Sequence, residues 1–592
     1  MHCDRKSALA ALLAIVLPIV LYLPTLGYGF VFDDRPLLID NPVVQSPDGL
    51  GEILTTDLDP RARTQEAPTT NYLRPLFLAL AAGLYAFFGA APFYWHLVAI
   101  LGHGLLGLLA YLLLRRERLG VAAALVAALV FSFHPAHVQS AAWVSGLQDL
   151  LFGVLALLAC LAYRGSAARP AAAFGPLLRL GLAYALALLA KEPAVGLLLL
   201  VGLESVLPGE TAARGRRPWA ELALLAGLTL AYFLYRLAVL GTLAHPFPTA
   251  PAWPQALASV PVALLFYLRD LLLPFDLFLL HPARPVSSVV APAALAALTG
   301  VLALLALAWL SVRRRPELAR PLLFFACWLA PSLSLWAINP EWMVMDRYLL
   351  LPSLALGWCL VLLVPARLGR WRAAAAIVLL VAFAGLSALQ MRVFRDEDRF
   401  WSAAIEADPA SSTAWAEWGK RRADAGDLAA ASSAIDRAIA LDPRAQLPRL
   451  RRALLALRQG QTGAAVAELE QLTQRNPGYL PAWRNLVVAR DRAGDAAGAR
   501  SSLAEALRLF PNDPLLWSHQ AVMLRGAGRR EEALAAIRQA VALAPADPAL
   551  RLREALLLAE RGRREEARAA AARGLELDPK PELRQQLETL LR

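Results

Sequence analysis

The sequence predicts an all-α protein in two parts: a polytopic membrane helix bundle over residues 1–391 and an α-solenoid over 392–592. Three observations predict it. Hydrophobic residues make up 58% of the 592-residue chain and mean hydropathy is +0.48, too apolar for a soluble globular protein. Apolar runs of about 18–22 residues, each able to cross a hydrocarbon core of roughly 30 Å, recur from Ser7 to Gln390 and then stop. From Met391 onward charge is frequent and a 34-residue period sets in. The boundary is a change of solvent, from lipid to water.

The first apolar run, 7–26, follows MHCDRK; it is long for a signal-peptide core and no small-x-small cleavage site follows, so it reads as an uncleaved first span. Further spans are expected at 93–114, 119–134, 147–163, 174–190, 194–208, 218–240, 290–311, 320–337, 347–364 and 372–391, about eleven in all. The net charge is +12 and almost all the basic residues are arginine. Arginines cluster around 5, 115–118, 164–169, 214–217, 313–320 and 367–372, in short loops between apolar runs, where they set topology. No basic patch interleaved with aromatics points to nucleic acid. If every cluster is cytoplasmic, the spans alternate without conflict, provided 74–90 and 260–280 lie at the outer surface as interfacial or re-entrant helices. Arg269, Asp270 and Pro274 in the second make it costly as a lipid-facing span. The N-terminus is then cytoplasmic and the repeats extracytoplasmic. The four cysteines, Cys3, Cys160, Cys327 and Cys359, show no metal or disulfide spacing.

In the C-terminal part, prolines recur at 409, 443, 477, 511, 545 and 579 and glycines at 426, 460, 494, 528 and 562. A 34-residue period is the signature of tetratricopeptide repeats: two antiparallel helices per unit, glycine in the turn between them, proline past the second helix. Trp415, Trp418, Gly419, Ala431, Ile435 and Ala438 carry the pattern in the first unit, with alanine where helices approach closely and tryptophan filling gaps. The expected organisation is a half-repeat at 397–409, five repeats over 412–579 and a C-terminal cap helix. Such arrays present a concave surface to a peptide or protein.

Polar residues concentrate on the outer side. The loop 27–73 opens with Asp33 and Asp34, where a carboxylate can act as general base on an acceptor hydroxyl or hold a cation. Asn71, Tyr72 and Arg74 follow; His96 and His103 share a helix face; His134 and His137 bracket a proline; Lys191 and Glu192 end one span; Asp346 and Arg347 open another. Ionisable residues at such depths are costly unless they line a polar cavity, and so many on one side point to a site there.

The segments FVFDDRPLLIDNP, NYLRPLFLAL, FYWHLVAILGHGLLGLLAYLLL, HPAHVQSAAWVSGLQDLL, LALLAKEP and DRYLLLPSLALGW resemble the transmembrane and tetratricopeptide-repeat-containing (TMTC) family, within the GT-C membrane glycosyltransferases. The resemblance covers nearly the whole chain. It implies an inverting protein O-mannosyltransferase whose donor is a polyprenyl- or dolichyl-phosphate sugar entering from the bilayer. Asp33 or Asp34 would be the base, and Lys191 and Arg347, with Arg74 or a histidine, would neutralise the departing phosphate. The repeats would bind the acceptor polypeptide. Gln139 and Gln148 stand where the family pattern leads one to look for charge, and a role for a divalent cation stays open. The arginine-rich, lysine-poor composition suggests a GC-rich bacterium, with the protein in the inner membrane and the repeats periplasmic. Two other functions fit the same layout: a non-catalytic scaffold whose repeats recruit proteins, and a ligase or transporter of polyprenyl-linked glycans. An Asp-Asp pair is of no use to the scaffold, and an outside protein-binding module is of no use to a simple transporter.

Overall fold

A computed structural model describes residues 5–45, 50–58, 72–167, 174–206, 218–243, 250–275, 277, 281–335, 342–545, 547–577 and 581–591. Cys3, Asn71 and positions 46–49 and 59–70 of the 27–73 loop lie outside the described residues, as do the arginines at 169 and 214–217. Every element among the described residues is helical. Contacts divide the chain into two compact units, one up to Ser411 and the other holding Ser412–Arg592. The Glu397–Ala407 helix falls in the first unit.

Among the described residues seven helices in the unit have the length and composition to cross a membrane, or eight if the bent Val121–Phe133 and Pro135–Ala141 pair is one span, against the eleven expected; the runs 194–208, 320–337 and 347–364 give α-helices of only 11, 11 and 10 residues, Gly196–Val206, Ala319–Leu329 and Leu354–Leu363. Three of them, Trp219–Leu240, Pro292–Arg314 and Arg370–Arg395, have only 17% of their apolar window buried, which leaves leucine and valine faces for lipid. Pro75–Phe88 has 14 residues, short for a crossing. Trp253–Leu272 does have a spanning length and composition, where the sequence reading puts a surface segment. Its charges fall in the last turn, where Arg269 pairs with Asp270 at 2.7 Å, so they need not sit in hydrocarbon.

The helices have two chemically distinct ends. At one, Arg164 grips Glu204 with both terminal nitrogens (2.6 and 2.7 Å) and Glu117 with Nε (2.5 Å), while Glu117 also meets Arg320 at 3.2 Å. Tyr111 reaches Ser7 on the same side, and Arg315 reaches the carbonyl of Leu362. The arginine clusters at 5, 115–118, 164 and 313–320 are therefore tied to one end of the bundle by direct contacts. The Leu147–Ala167 helix runs from this end to Gln148 and Asp149, and the 15 steps from Asp149 to Arg164 rise about 22 Å. Glu221, which accepts from Ser166 at 3.0 Å, is also buried at the arginine end, whereas Asp34, Arg74, Asp149 and Lys191 are buried toward the far end.

In the second unit five helix pairs run from Ser412–Asp424 with Leu428–Leu441 to Pro548–Glu560 with Arg564–Glu576, followed by Pro581–Leu591. Gly426, Gly460, Gly494, Gly528 and Gly562 each end the turn between paired helices with φ between 74° and 85°. That left-handed conformation clashes with a Cβ, which explains why the period keeps glycine there. Gly494→Ala is expected to cost about 1 kcal/mol, read as a lowered melting temperature of the repeat unit. Alanines at the close approaches, including Ala431, Ala438, Ala499, Ala506, Ala533 and Ala540, are fully buried.

Candidate functional site

The Asp33-Asp34 pair follows the first helix on a strained turn. Phe32 has φ 50°, unusual for a residue with a bulky side chain. Its ring is fixed by Trp401 at 5.2 Å, Phe400 at 5.6 Å and Trp143 at 6.1 Å, so packing holds the strain. The two aspartates diverge. Asp34 is fully buried: Oδ1 accepts from the Ser145 amide (2.7 Å) and hydroxyl (2.6 Å), and Oδ2 accepts from the Val31 amide (2.9 Å). Burial pushes its pKa up to about 7, with the three donors pulling the other way. Asp33 is only partly buried and lies within electrostatic range of Arg347.

A continuous polar chain leads away from Asp34. Gln148 Nε2 donates to the Ser145 carbonyl at 2.8 Å, and its Oε1 accepts from Arg74. Arg74 lies 3.6 Å from Glu192, which pairs with Arg236 at 2.8 Å, and stacks over Tyr72 at 4.4 Å. Beside it Lys191, in the turn after the Phe174–Ala190 helix, forms a buried ion pair with Asp149 and lies 5.2 Å from the Tyr348 ring centre. Burial lowers the Lys191 pKa to about 8; Asp149 opposes that, while the positive charges of Arg74 and Arg347 add to it. Arg347 sits over Trp143 (5.6 Å) and Tyr348 (5.8 Å), and among the described residues it makes no ion pair within 4 Å. Its backbone amide donates to Gln139 Oε1 at 3.4 Å, and Gln139 Nε2 donates to Asp346 at 3.0 Å.

Arg74, Lys191 and Arg347 are thus brought within electrostatic reach of one another from three distant stretches of sequence, with Tyr72, Glu192 and Asp33 around them. Asp34 instead braces the loop. The histidines divide. His96 faces the Gly29 carbonyl at 3.5 Å, near the start of the aspartate loop. His103, His134 and His137 form a separate buried row, with ring centres 5.4 Å (His103 to His137) and 6.4 Å (His134 to His137) apart. Their Nε2 atoms point at the Ser132 carbonyl, the Leu271 carbonyl and the Ser353 hydroxyl, which locks helices together. Gln139 and Gln148 are bridges, because a carboxamide can donate and accept at once. Sequence reasoning misses Asp149, Ser145, Trp143 and Arg236; an acidic residue two places after Leu147 in an apolar run is the signal available for Asp149.

Known proteins are similar to parts of this chain. The chain is 34% identical over 194 residues to "Protein O-mannosyl-transferase Tmtc1" of Drosophila melanogaster, covering 32% of this chain and 22% of that one. It is 31% identical over 270 residues to the fly's "Protein O-mannosyl-transferase Tmtc2", covering 45% and 28%. Human "Protein O-mannosyl-transferase TMTC1" is 34% identical over 168 residues, covering 28% and 19%. Tetratricopeptide repeat families match residues 456–522 and 520–580. Over these stretches the chain is similar to the TMTC proteins. The matched stretches of this TMTC-like chain span only 19–28% of those relatives' own length. Among solved structures, TTC0263, a thermophilic tetratricopeptide protein of Thermus thermophilus, is 26% identical, covering 31% of the TMTC-like chain and 99% of its own, with a TM-score of 0.28.

Proposed function

We propose that this TMTC-like protein is an inverting membrane glycosyltransferase of the GT-C type. It would move a monosaccharide, mannose by the names of its relatives, from a polyprenyl-phosphate donor to serine or threonine of a protein at the extracytoplasmic face. One observation carries the reading: three cations, Arg74, Lys191 and Arg347, lie within electrostatic reach of one another, and Arg347 is also within reach of the partly exposed carboxylate Asp33. Fixed cations aimed at charge developing on a leaving phosphate are what this transfer requires. In this mechanism Asp33 takes the hydroxyl proton as the acceptor oxygen attacks the anomeric carbon. The bond from that carbon to the phosphate oxygen breaks, and the lipid phosphate leaves against Arg347 and Lys191. Arg347 suits the role because no carboxylate among the described residues occupies it, and the Trp143 and Tyr348 rings hold it in place. The repeats would bind the acceptor chain.

The test is transfer from polyprenyl-phosphate mannose to serine- and threonine-rich peptides by the protein in proteoliposomes. Arg347→Gln is expected to lower the rate roughly 10²–10³-fold, and Arg347→Lys to retain part of it. A full rate in Arg347→Gln would overturn the assignment. The pH profile adds a check. Lys191 is charged below about 8 and neutral above, so transfer should decline as pH rises through that value.

A further inference from the structure

A second cluster lies on the far side of Gln139. Asp270 ends the Trp253–Leu272 helix, His281 lies in the stretch that follows, and Asp346 opens the Asp346–Leu349 turn. All three are buried, at 1%, 2% and 0% exposure. His281 Nε2 is 2.8 Å from Asp346 Oδ1 and 3.8 Å from Asp270 Oδ2, and one donor atom from each residue lies within 4.8 Å of the others.

We propose that Asp270, His281 and Asp346 hold a divalent transition-metal ion. The donor set, one imidazole nitrogen and two carboxylate oxygens, is that of Zn²⁺ and related ions. Metal bonds of about 2.0–2.2 Å in a tetrahedral site place donors roughly 3.4 Å apart. The two observed separations to His281 straddle that value, so binding needs shifts of less than an ångström along each. The outer contacts are arranged for the same purpose. Gln139 holds Asp346 by Oδ2 at 3.0 Å, and Arg269 holds Asp270 by Oδ1 at 2.7 Å. Each carboxylate is therefore pinned by one oxygen and turns the other toward the imidazole, the way outer partners orient ligands around a metal. The backbone of His281 is anchored as well, since Arg284 donates to its carbonyl at 2.9 Å. An imidazole N–H can serve one carboxylate well; two carboxylates converging on one buried nitrogen fit a cation between them better. Asp346 and the Arg347 amide share Gln139, so the ion would fix the turn that carries Arg347; that link to catalysis rests on the transferase reading, while the site itself does not.

The experiment uses the full chain, tag-free in detergent and stripped with EDTA. Zn²⁺ and, separately, Mn²⁺ are titrated, with bound metal counted by elemental analysis and the melting temperature followed. One equivalent is expected, with a rise in melting temperature. His281→Gln should abolish uptake, and Gln139→Ala should weaken it about 10–100-fold while leaving all three ligands in place. Wild-type protein that binds neither ion overturns the site, as does uptake that is unchanged in both variants; His281 would then be an ion-pair latch between two carboxylates. Transfer activity plays no part in this readout, so failure here leaves the glycosyltransferase proposal standing, and the reverse also holds.

Discussion

Asp33→Asn is expected to reduce sugar transfer by roughly 10²–10⁴-fold, the range for losing a general base, with insertion and melting temperature unchanged. The contrast with its neighbour makes the experiment sharp. Asp34 receives three hydrogen bonds on two oxygens. A carboxamide in its place would turn an NH₂ group toward either the Val31 N–H or the Ser145 donors. Asp34→Asn should therefore cost about 1–3 kcal/mol of stability, and any loss of transfer would track the fraction misfolded. The measurements are initial transfer rates and thermal melts of both variants in the same detergent. If Asp34→Asn is stable and inactive while Asp33→Asn transfers normally, the two roles are reversed.

The second large effect concerns Lys191. Its ammonium and the Asp149 carboxylate are both nearly dry, at 3% and 2% side-chain exposure. Removing one partner strands a buried charge, and Lys191→Met should cost about 3–5 kcal/mol. Adding Asp149→Leu removes the stranded charge and should restore much of that stability, because an apolar pair of similar volume costs little. Transfer should not return, since the cation facing the phosphate is still missing. A double variant that regains both stability and transfer would show that Lys191 is structural only.

Much of this layout is legible from residue order. Apolar runs mark the membrane helices because lipid demands apolar length, and the 34-residue period marks the repeats because every turn needs the same left-handed glycine. Lys191, Arg74 and Arg347 stand out because charge in or beside an apolar run has to be compensated. Pairings are not legible. Lys191 meets Asp149 42 residues away, and Asp346 meets His281 65 residues away; nothing local encodes either contact. In sequence, Asp270 reads as a sign that its segment does not cross the membrane, which hides its convergence with His281. The different duties of Asp33 and Asp34 are equally hidden, since they depend on the turn at Phe32, and that turn is held by Trp143, Phe400 and Trp401 from remote parts of the chain.

The five interhelical glycines adopt nearly one backbone angle, so every repeat leaves its turn in the same direction. Units built that way are interchangeable parts. Excising a stretch of 34 residues from one glycine to the next rejoins two identical bends, and inserting one does the same. The array can therefore be shortened or extended in whole steps, which would change the length of the surface it offers by one repeat at a time.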